Sequence, residues 1–151
     1  EFLIVPLLKE AWKRHPDLNL FSHIPIQADD LKLIPDYLVS AKTRTGWKRL
    51  HKPLLLVVEA KDEKFEEGWF QALLQLVICQ KINGTNEIPI LAIVTTGDLW
   101  QFGKLEKECF VRHPIPLSIR PEELLGILDI CFAECEKNAR LHSDDDEQMS
   151  K

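Results

Sequence analysis

Apolar residues occur in two different patterns along the chain, a helical spacing and short strand-like runs. Residues 2–14 and 65–82 carry apolar side chains every three or four positions, which predicts two helices, the second ending at Gly84. A third helix is predicted from Pro121, whose first turn is acidic, to about Leu141. Shorter runs of apolar, branched or aromatic residues predict strands at 21–27, 33–41, 53–61, 88–96 and 99–105.

The order of these elements predicts an α/β fold with a mixed central β-sheet flanked by helices, one of them C-terminal. Residues 53–61 are apolar at consecutive positions, as in a central strand covered on both faces. Residues 88–105 form a β-hairpin around Gly97-Asp98, and residues 113–121 are extended linker and strand edge. A chain of 151 residues fits one domain, which we place at 1–142, followed by an acidic disordered tail at 143–151.

Charge is spread unevenly along the chain. The formal net charge of -5 argues against a general nucleic-acid binder. Residues 41–52 nevertheless contain no acid and form a basic loop with these candidate nucleic-acid contacts: Lys42, Arg44, Trp47, Lys48, Arg49 and Lys52. Two interpretations remain open, namely phosphate contact with stacking on the tryptophan, or a solvated hairpin tip.

Composition also bears on the compartment. No apolar run approaches the roughly 18 residues of a membrane span, so no membrane partner is expected. The four cysteines lack a CxxC spacing, which favours reduced, buried thiols in a cytoplasmic protein. Cys131 and Cys135 have a spacing compatible with metal ligation, but core packing is favoured because no histidine is in register with them.

Candidate chemistry lies where the apolar run of 53–61 ends. If residues 34–41 and 53–61 pair as an antiparallel hairpin, partners have numbers that sum to about 95, and Asp36 faces Glu59. Lys61 shares the face of Glu59, about 6.6 Å along the strand. Two carboxylates this close favour a divalent cation, Mg²⁺ or Mn²⁺, with the carbonyl of Ala60 as a further ligand. Lys61 would then orient the attacking water in phosphodiester hydrolysis.

Pro35-Asp36 followed by Glu59-Ala60-Lys61 resembles the signature of the PD-(D/E)XK nuclease superfamily. The resemblance extends over residues 2–105, and residues 94–105 are similar to a segment of the nuclease domain of type I restriction enzyme motor subunits. It implies a restriction-endonuclease-like core with Asp36, Glu59 and Lys61 in the active site.

The resemblance also implies two supporting groups. A glutamine on the following helix often approaches the site, and Gln71 is the preferred candidate, with Gln75 at the position of a tyrosine in some members. Both glutamines are equally compatible with an exposed helix face. An acid on the first helix is also expected, either Glu10 or Glu1.

The expected activity is therefore that of a magnesium-dependent endodeoxyribonuclease acting on DNA, alone, as a homodimer or within a larger complex. The alternative is a catalytically silent nuclease-fold module that serves binding in a nucleic-acid-processing or defence assembly. No histidine pair has metal-ligand spacing, so all five histidines are expected to be structural or on the surface.

Overall fold

The computed structural model describes residues 4–42, 50–62 and 64–149, with side chains described as far as residue 142. Three helices flank the sheet: α1 (Ile4–Trp12), α2 (Phe65–Asn83) and α3 (Pro121–Met149). The strands are β1 (Leu18–Ser22), β2 (Ile26–Ala28), β3 (Leu31–Leu33), β4 (Tyr37–Ala41), β5 (Leu54–Ala60), β6 (Ile90–Thr95), β7 (Leu99–Glu106), β8 (Cys109–Arg112) and β9 (Leu117–Ser118).

The central sheet is mixed and contains seven strands, which confirms the predicted α/β architecture at that level. Its order is β1-β4-β5-β6-β7-β8, and β9 pairs with β7. Strands β5 and β6 run parallel, whereas the neighbouring pairs run antiparallel. The hairpin predicted at 88–105 is present as β6 and β7. The parallel pair places α2 as a crossover helix between β5 and β6.

The segment before the basic loop departs from the prediction of two strands. Residues 21–41 instead contribute the end of β1, the small β2–β3 hairpin and β4. Positive φ angles explain the breaks, because His23 (φ 55°) turns the chain out of the main sheet and Asp29 (φ 55°) closes the turn between β2 and β3. Strand β8 was not predicted, and it follows a tight turn at Lys107 (φ 56°).

Strand β5 forms the centre of the core. Residues 54–59 are all buried, as predicted for a strand covered on both faces. One cluster of buried residues lies between the sheet and α2, and a second lies between the sheet and the pair α1 and α3. Trp69 belongs to the first cluster and Trp100 to the second, so both tryptophans are part of the core.

The C-terminal end of α2 is hydrogen-bonded to the central sheet. Asn83 holds the beginning of β5, because its Oδ1 accepts from the Leu54 N–H at 2.7 Å and its Nδ2 donates to the Leu54 carbonyl at 2.9 Å. Gly84 then ends the helix in the left-handed conformation (φ 76°), as the sequence predicts. The position of α2 over β5 is therefore determined by buried polar contacts as well as by apolar packing.

Helix α3 begins at Pro121 as predicted but continues to Met149, so it includes much of the acidic segment for which a disordered tail is predicted. The four cysteines are free thiols, and Cys109 is exposed rather than buried. Within the described residues, no helix is both long and apolar enough to cross a membrane.

Candidate functional site

Asp36 and Glu59 lie at the same end of the β4–β5 hairpin. Tyr37 pairs with Val58 and Leu38 with Val57, so the predicted register is confirmed, and one further step places Asp36 opposite Glu59. Oδ2 of Asp36 accepts a hydrogen bond from the Ala60 N–H at 2.8 Å. The two acidic residues are thus placed together by strand pairing and by a side-chain contact to the backbone of β5.

Glu59 is the buried member of the pair, with only 3% of its surface exposed. Burial is the main reason why the pKa of its carboxyl group is raised above the ordinary value of 4.5. A hydrogen bond from Gln75 lowers this pKa, the negative charge of Asp36 raises it, and the ammonium group of Lys61 lowers it. Burial and the charge of Asp36 therefore outweigh the contacts that favour the ionised carboxylate.

Gln75, rather than the preferred Gln71, reaches Glu59 from α2. Its Nε2 donates to Oε1 of Glu59 at 2.7 Å, and its side chain is buried. Its Oε1 is also buried and has no hydrogen-bond partner among the described residues. Gln71 is half-buried, and among the side-chain hydrogen bonds of the described residues it is Gln75, not Gln71, that contacts Glu59. Sequence spacing placed both glutamines on α2, but only the packing angle of the helix selects between them.

Lys61 leaves the sheet just beyond Glu59. Its N–H donates to the Thr95 carbonyl at 2.8 Å, which extends the pairing of β5 with β6 by one residue. The side chain runs against Gly68, where an added Cβ would lie 3.1 Å from Cγ of Lys61 and 2.8 Å from Val94. Lys61, Asp62, Lys64 and Glu67 line an open cavity of about 320 Å³. The lysine stem is therefore confined by α2, and Lys61 borders this cavity.

His23 is a member of this group that the sequence did not identify. Its Nε2 lies 3.5 Å from Oδ1 of Asp36, and its Nδ1 lies 2.7 Å from Oγ of Ser22. The backbone N–H of His23 also donates to the Asp36 carbonyl at 3.0 Å. The β1–β4 register, in which Ser22 faces Tyr37, brings His23 to Asp36. The pairing of β1 with β4 was not predicted from the sequence, and that pairing would have identified His23 as a neighbour of Asp36.

The basic loop connects β4 to β5 along the chain, at the end of the hairpin opposite Asp36 and Glu59. Lys42 and Lys52 are exposed on its two sides, whereas Arg44, Trp47, Lys48 and Arg49 lie outside the described residues. From Leu54 to Ala60 the strand rises roughly 20 Å, so the described loop flanks do not adjoin Asp36 and Glu59. Lys42 and Lys52 therefore lie at the end of the hairpin away from the candidate site and do not line it.

The expected first-helix acid does not join the site at Glu10. This residue is exposed and pairs with Lys13 at 3.3 Å, and α1 lies on the face of the sheet opposite α2. Glu1 lies outside the described residues.

Asp36, Glu59 and the Ala60 carbonyl are the oxygen donors that this site offers to a divalent cation. In the described residues no group of three or more His, Cys, Asp or Glu side chains is arranged to hold a metal ion, so a site made only of side chains is not present there. Two carboxylates and a backbone carbonyl nevertheless fit Mg²⁺, which keeps several waters and needs only one or two protein carboxylates. The unpartnered Oε1 of Gln75 adds a buried acceptor beside Glu59 that a metal-bound water would satisfy. The site thus fits a hard, partly hydrated cation.

Comparison with known proteins gives no relative for this chain: no family model matches it, and no significant match occurs among curated proteins or solved structures.

Proposed function

We propose that this protein is a metal-dependent nuclease that hydrolyses phosphodiester bonds of DNA on a restriction-endonuclease-like core. One observation carries the proposal: a buried strand ends with Glu59, Ala60 and Lys61, and Asp36 is held against that end by its hydrogen bond to the Ala60 N–H. Charges are costly to bury unless they serve a ligand or a partner. Their convergence at a strand end next to a cavity is what a hydrolytic site requires.

Asp36, Glu59 and the Ala60 carbonyl would hold the cation. A strand residue directs its N–H and C=O groups towards the same neighbouring strand, so the Ala60 carbonyl is expected on the side of Asp36. A bound Mg²⁺ or Mn²⁺ ion would act as a Lewis acid on the phosphate. Gln75 would position the Glu59 carboxylate, because its amide fixes one carboxylate oxygen and leaves the other for the ligand.

Lys61 would act on the substrate directly. Its ammonium group would orient the attacking water and offset the negative charge that develops on the phosphate oxygens. Within the described residues, Lys61 forms no ion pair with a carboxylate, so its charge is not already neutralised by a close partner there. This leaves the ammonium group available for phosphate.

DNA would extend from the site towards the basic loop. The interval of roughly 20 Å between them corresponds to about six base steps of a strand. Lys42 and Lys52 would then contact phosphates remote from the cleaved bond, which gives affinity without sequence preference.

Metal binding is the first test, measured by isothermal titration with Mg²⁺ or Mn²⁺ at neutral pH. Asp36→Asn and Glu59→Gln are the informative variants, since both amides retain an oxygen that can accept the native hydrogen bonds. We expect wild type to bind a divalent ion and each variant to lose at least about tenfold in affinity. Equal binding by wild type and both variants would overturn the proposed site.

Cleavage of plasmid and single-stranded DNA is the second test. Lys61→Ala should lower the cleavage rate by about 100-fold or more while leaving metal affinity unchanged. Lys137→Ala is the matched control, because Lys137 is an exposed lysine on α3, on the face of the sheet opposite α2, and should retain activity. Metal binding without any metal-dependent cleavage would instead support the non-catalytic binding module.

A further inference from the structure

Helix α2 is apolar on both of its sides. Its inner side packs on β2, β5 and β6 and includes Ala72, Leu76 and Cys79. On the outer side, Phe70 is 66% exposed and Val77 is 39% exposed. A helix that uses one side for the core is expected to be polar on the other. The outer side of α2 is therefore suited to a partner.

The outer residues form one continuous stripe. Positions 67, 70, 74, 77 and 81 follow spacings of three and four and, at 3.6 residues per turn, fall within about 80° of the helix circumference. Phe70, Leu74 and Val77 occupy the middle of the stripe and belong to neither core cluster of the described residues. Glu67 lies at one end of the stripe and Lys81 at the other. We call these five residues the α2 stripe.

We propose that the α2 stripe is a homodimer interface in which two copies of this chain pair their α2 helices antiparallel. A two-fold axis near Leu74 brings Phe70 against Val77 of the second copy. The same axis places Glu67 against Lys81 of the second copy at both ends of the contact. The stripe is therefore self-complementary in charge and in apolar area, as an isologous interface requires.

The existing contacts of the end residues are compatible with this arrangement. Lys81 pairs with Asp29 and Glu67 pairs with Lys64, but all four side chains are more than half exposed. Such pairs contribute little to stability, and an ammonium group has three donors to share. Lys81 can therefore serve Glu67 of the second copy while it keeps its contact with Asp29.

A parallel arrangement is disfavoured by the same charges. It would place Glu67 beside the Glu67 of the second copy and Lys81 beside the second Lys81, which costs free energy at both ends of the contact. The contact between Gln75 and Glu59 lies on the inner side of α2, although Glu67 also lines the cavity beside Lys61. Because Phe70 and Val77 do not line that cavity, Phe70→Asp tests the dimer separately from the proposed function, and either can fail alone.

Sedimentation velocity of the full chain over roughly 1 to 500 µM tests the interface, because a contact between two helices is small and a micromolar dimer is expected. Phe70→Asp should weaken dimerisation at least about tenfold. Ile130→Asp is the matched control, since Ile130 is 69% exposed but lies on α3. Circular dichroism and thermal unfolding should show that both variants are folded.

Charge exchange tests the antiparallel register. Glu67→Lys and Lys81→Glu should each weaken self-association by several-fold, while an equimolar mixture of these two variants should associate at least as tightly as wild type. The double variant carrying both changes should also dimerise. Monomeric wild type across the whole range, or dimerisation unaffected by Phe70→Asp, would overturn the interface. Weakening by the single charge variants without recovery in the mixture would overturn the antiparallel pairing.

Discussion

At the scale of single residues, Glu59 is a candidate site residue whose buried charge lowers the stability of the fold at neutral pH. Its carboxyl group ends a buried strand, and burial raises its pKa above 4.5. The unfolded chain therefore ionises more readily than the folded one, so the fold is less stable at neutral pH than it would be with a neutral group at this position. Retaining an acid there is understandable if its charge serves a ligand.

We predict that Glu59→Gln raises the free energy of unfolding at pH 7 by about 1 kcal/mol. Glutamine carries no charge, and its N–H₂ group can donate to the unpartnered Oε1 of Gln75. The gain should shrink as the pH falls through the raised folded-state pKa and disappear well below 4.5, where Glu59 is protonated in both states. Urea unfolding at several pH values measures this.

The exposed acid Glu87 provides the comparison for this experiment. Glu87→Gln should leave the free energy of unfolding nearly unchanged at pH 7, since the side chain is in water in both states. A loss of stability in Glu59→Gln at pH 7 would show that the native carboxylate is better paired than its contacts indicate.

At the scale of elements, Gly68 determines how closely α2 approaches the sheet. A Cβ at this position would lie 2.8 Å from Cγ1 of Val94, a branched side chain that is fully buried. The same close approach confines the stem of Lys61, 3.1 Å from that point. One helical glycine therefore links the packing of α2 on β6 to the placement of the lysine.

We predict that Gly68→Ala lowers the free energy of unfolding by about 1–2 kcal/mol, because overpacking against Val94 outweighs the better helix propensity of alanine. Gly126→Ala in α3 is the matched control. Apart from the backbone of α3 itself and the two chain neighbours of Gly126, no described atom lies within 4 Å of the Cβ that alanine would add there, so this change should stabilise the protein by about 0.5–1 kcal/mol. Thermal or urea unfolding compares the two, and equal effects would contradict the role of close packing.

At the scale of the whole molecule, His15 connects the N-terminal part of the chain to the C-terminal helix. It follows α1, is 7% exposed, and bonds to Glu136 and, at 2.7 Å, to Asp129, both on α3. Burial lowers the pKa of His15, but the hydrogen bonds and charges of these two carboxylates outweigh it and leave the pKa above 6.5. The protonated imidazole is thus part of the contact between α1 and α3.

We predict that this contact weakens as the pH rises. A raised folded-state pKa stabilises the protein fully below 6.5, and the contribution is lost as the pH passes upward through the folded-state value. His15→Gln should lower the free energy of unfolding by about 1–2 kcal/mol at pH 6 and flatten its decline above pH 6.5. Urea unfolding from pH 6 to 9 measures both effects.

His51→Gln serves as the control, because His51 is exposed and takes no part in the contacts that His15 makes with Asp129 and Glu136. It should reproduce the wild-type pH dependence. A wild-type decline that persists unchanged in His15→Gln would assign the pH dependence to another group.

Local patterning alone determined much of the architecture. Consecutive apolar residues identified β5, the spacing of apolar residues and Gly84 identified α2, and the Gly97-Asp98 turn between two strand-like runs identified the β6–β7 hairpin. The antiparallel register followed from pairing two of these runs as a hairpin in which partner numbers sum to about 95, and the pairing of Tyr37 with Val58 confirms it. Asp36 opposite Glu59 is a direct consequence of that register.

Tertiary structure decided which other groups meet these residues. Gln71 and Gln75 are four positions apart on one helix, and the packing of α2 on β5 selected Gln75 for Glu59. His23 reached Asp36 through the β1–β4 pairing, and His15 is buried because α3 returns to α1 from more than a hundred residues away. Local sequence sets backbone propensity and the buried face of each element, whereas contacts between distant elements depend on their angles and register after packing, which no short segment encodes.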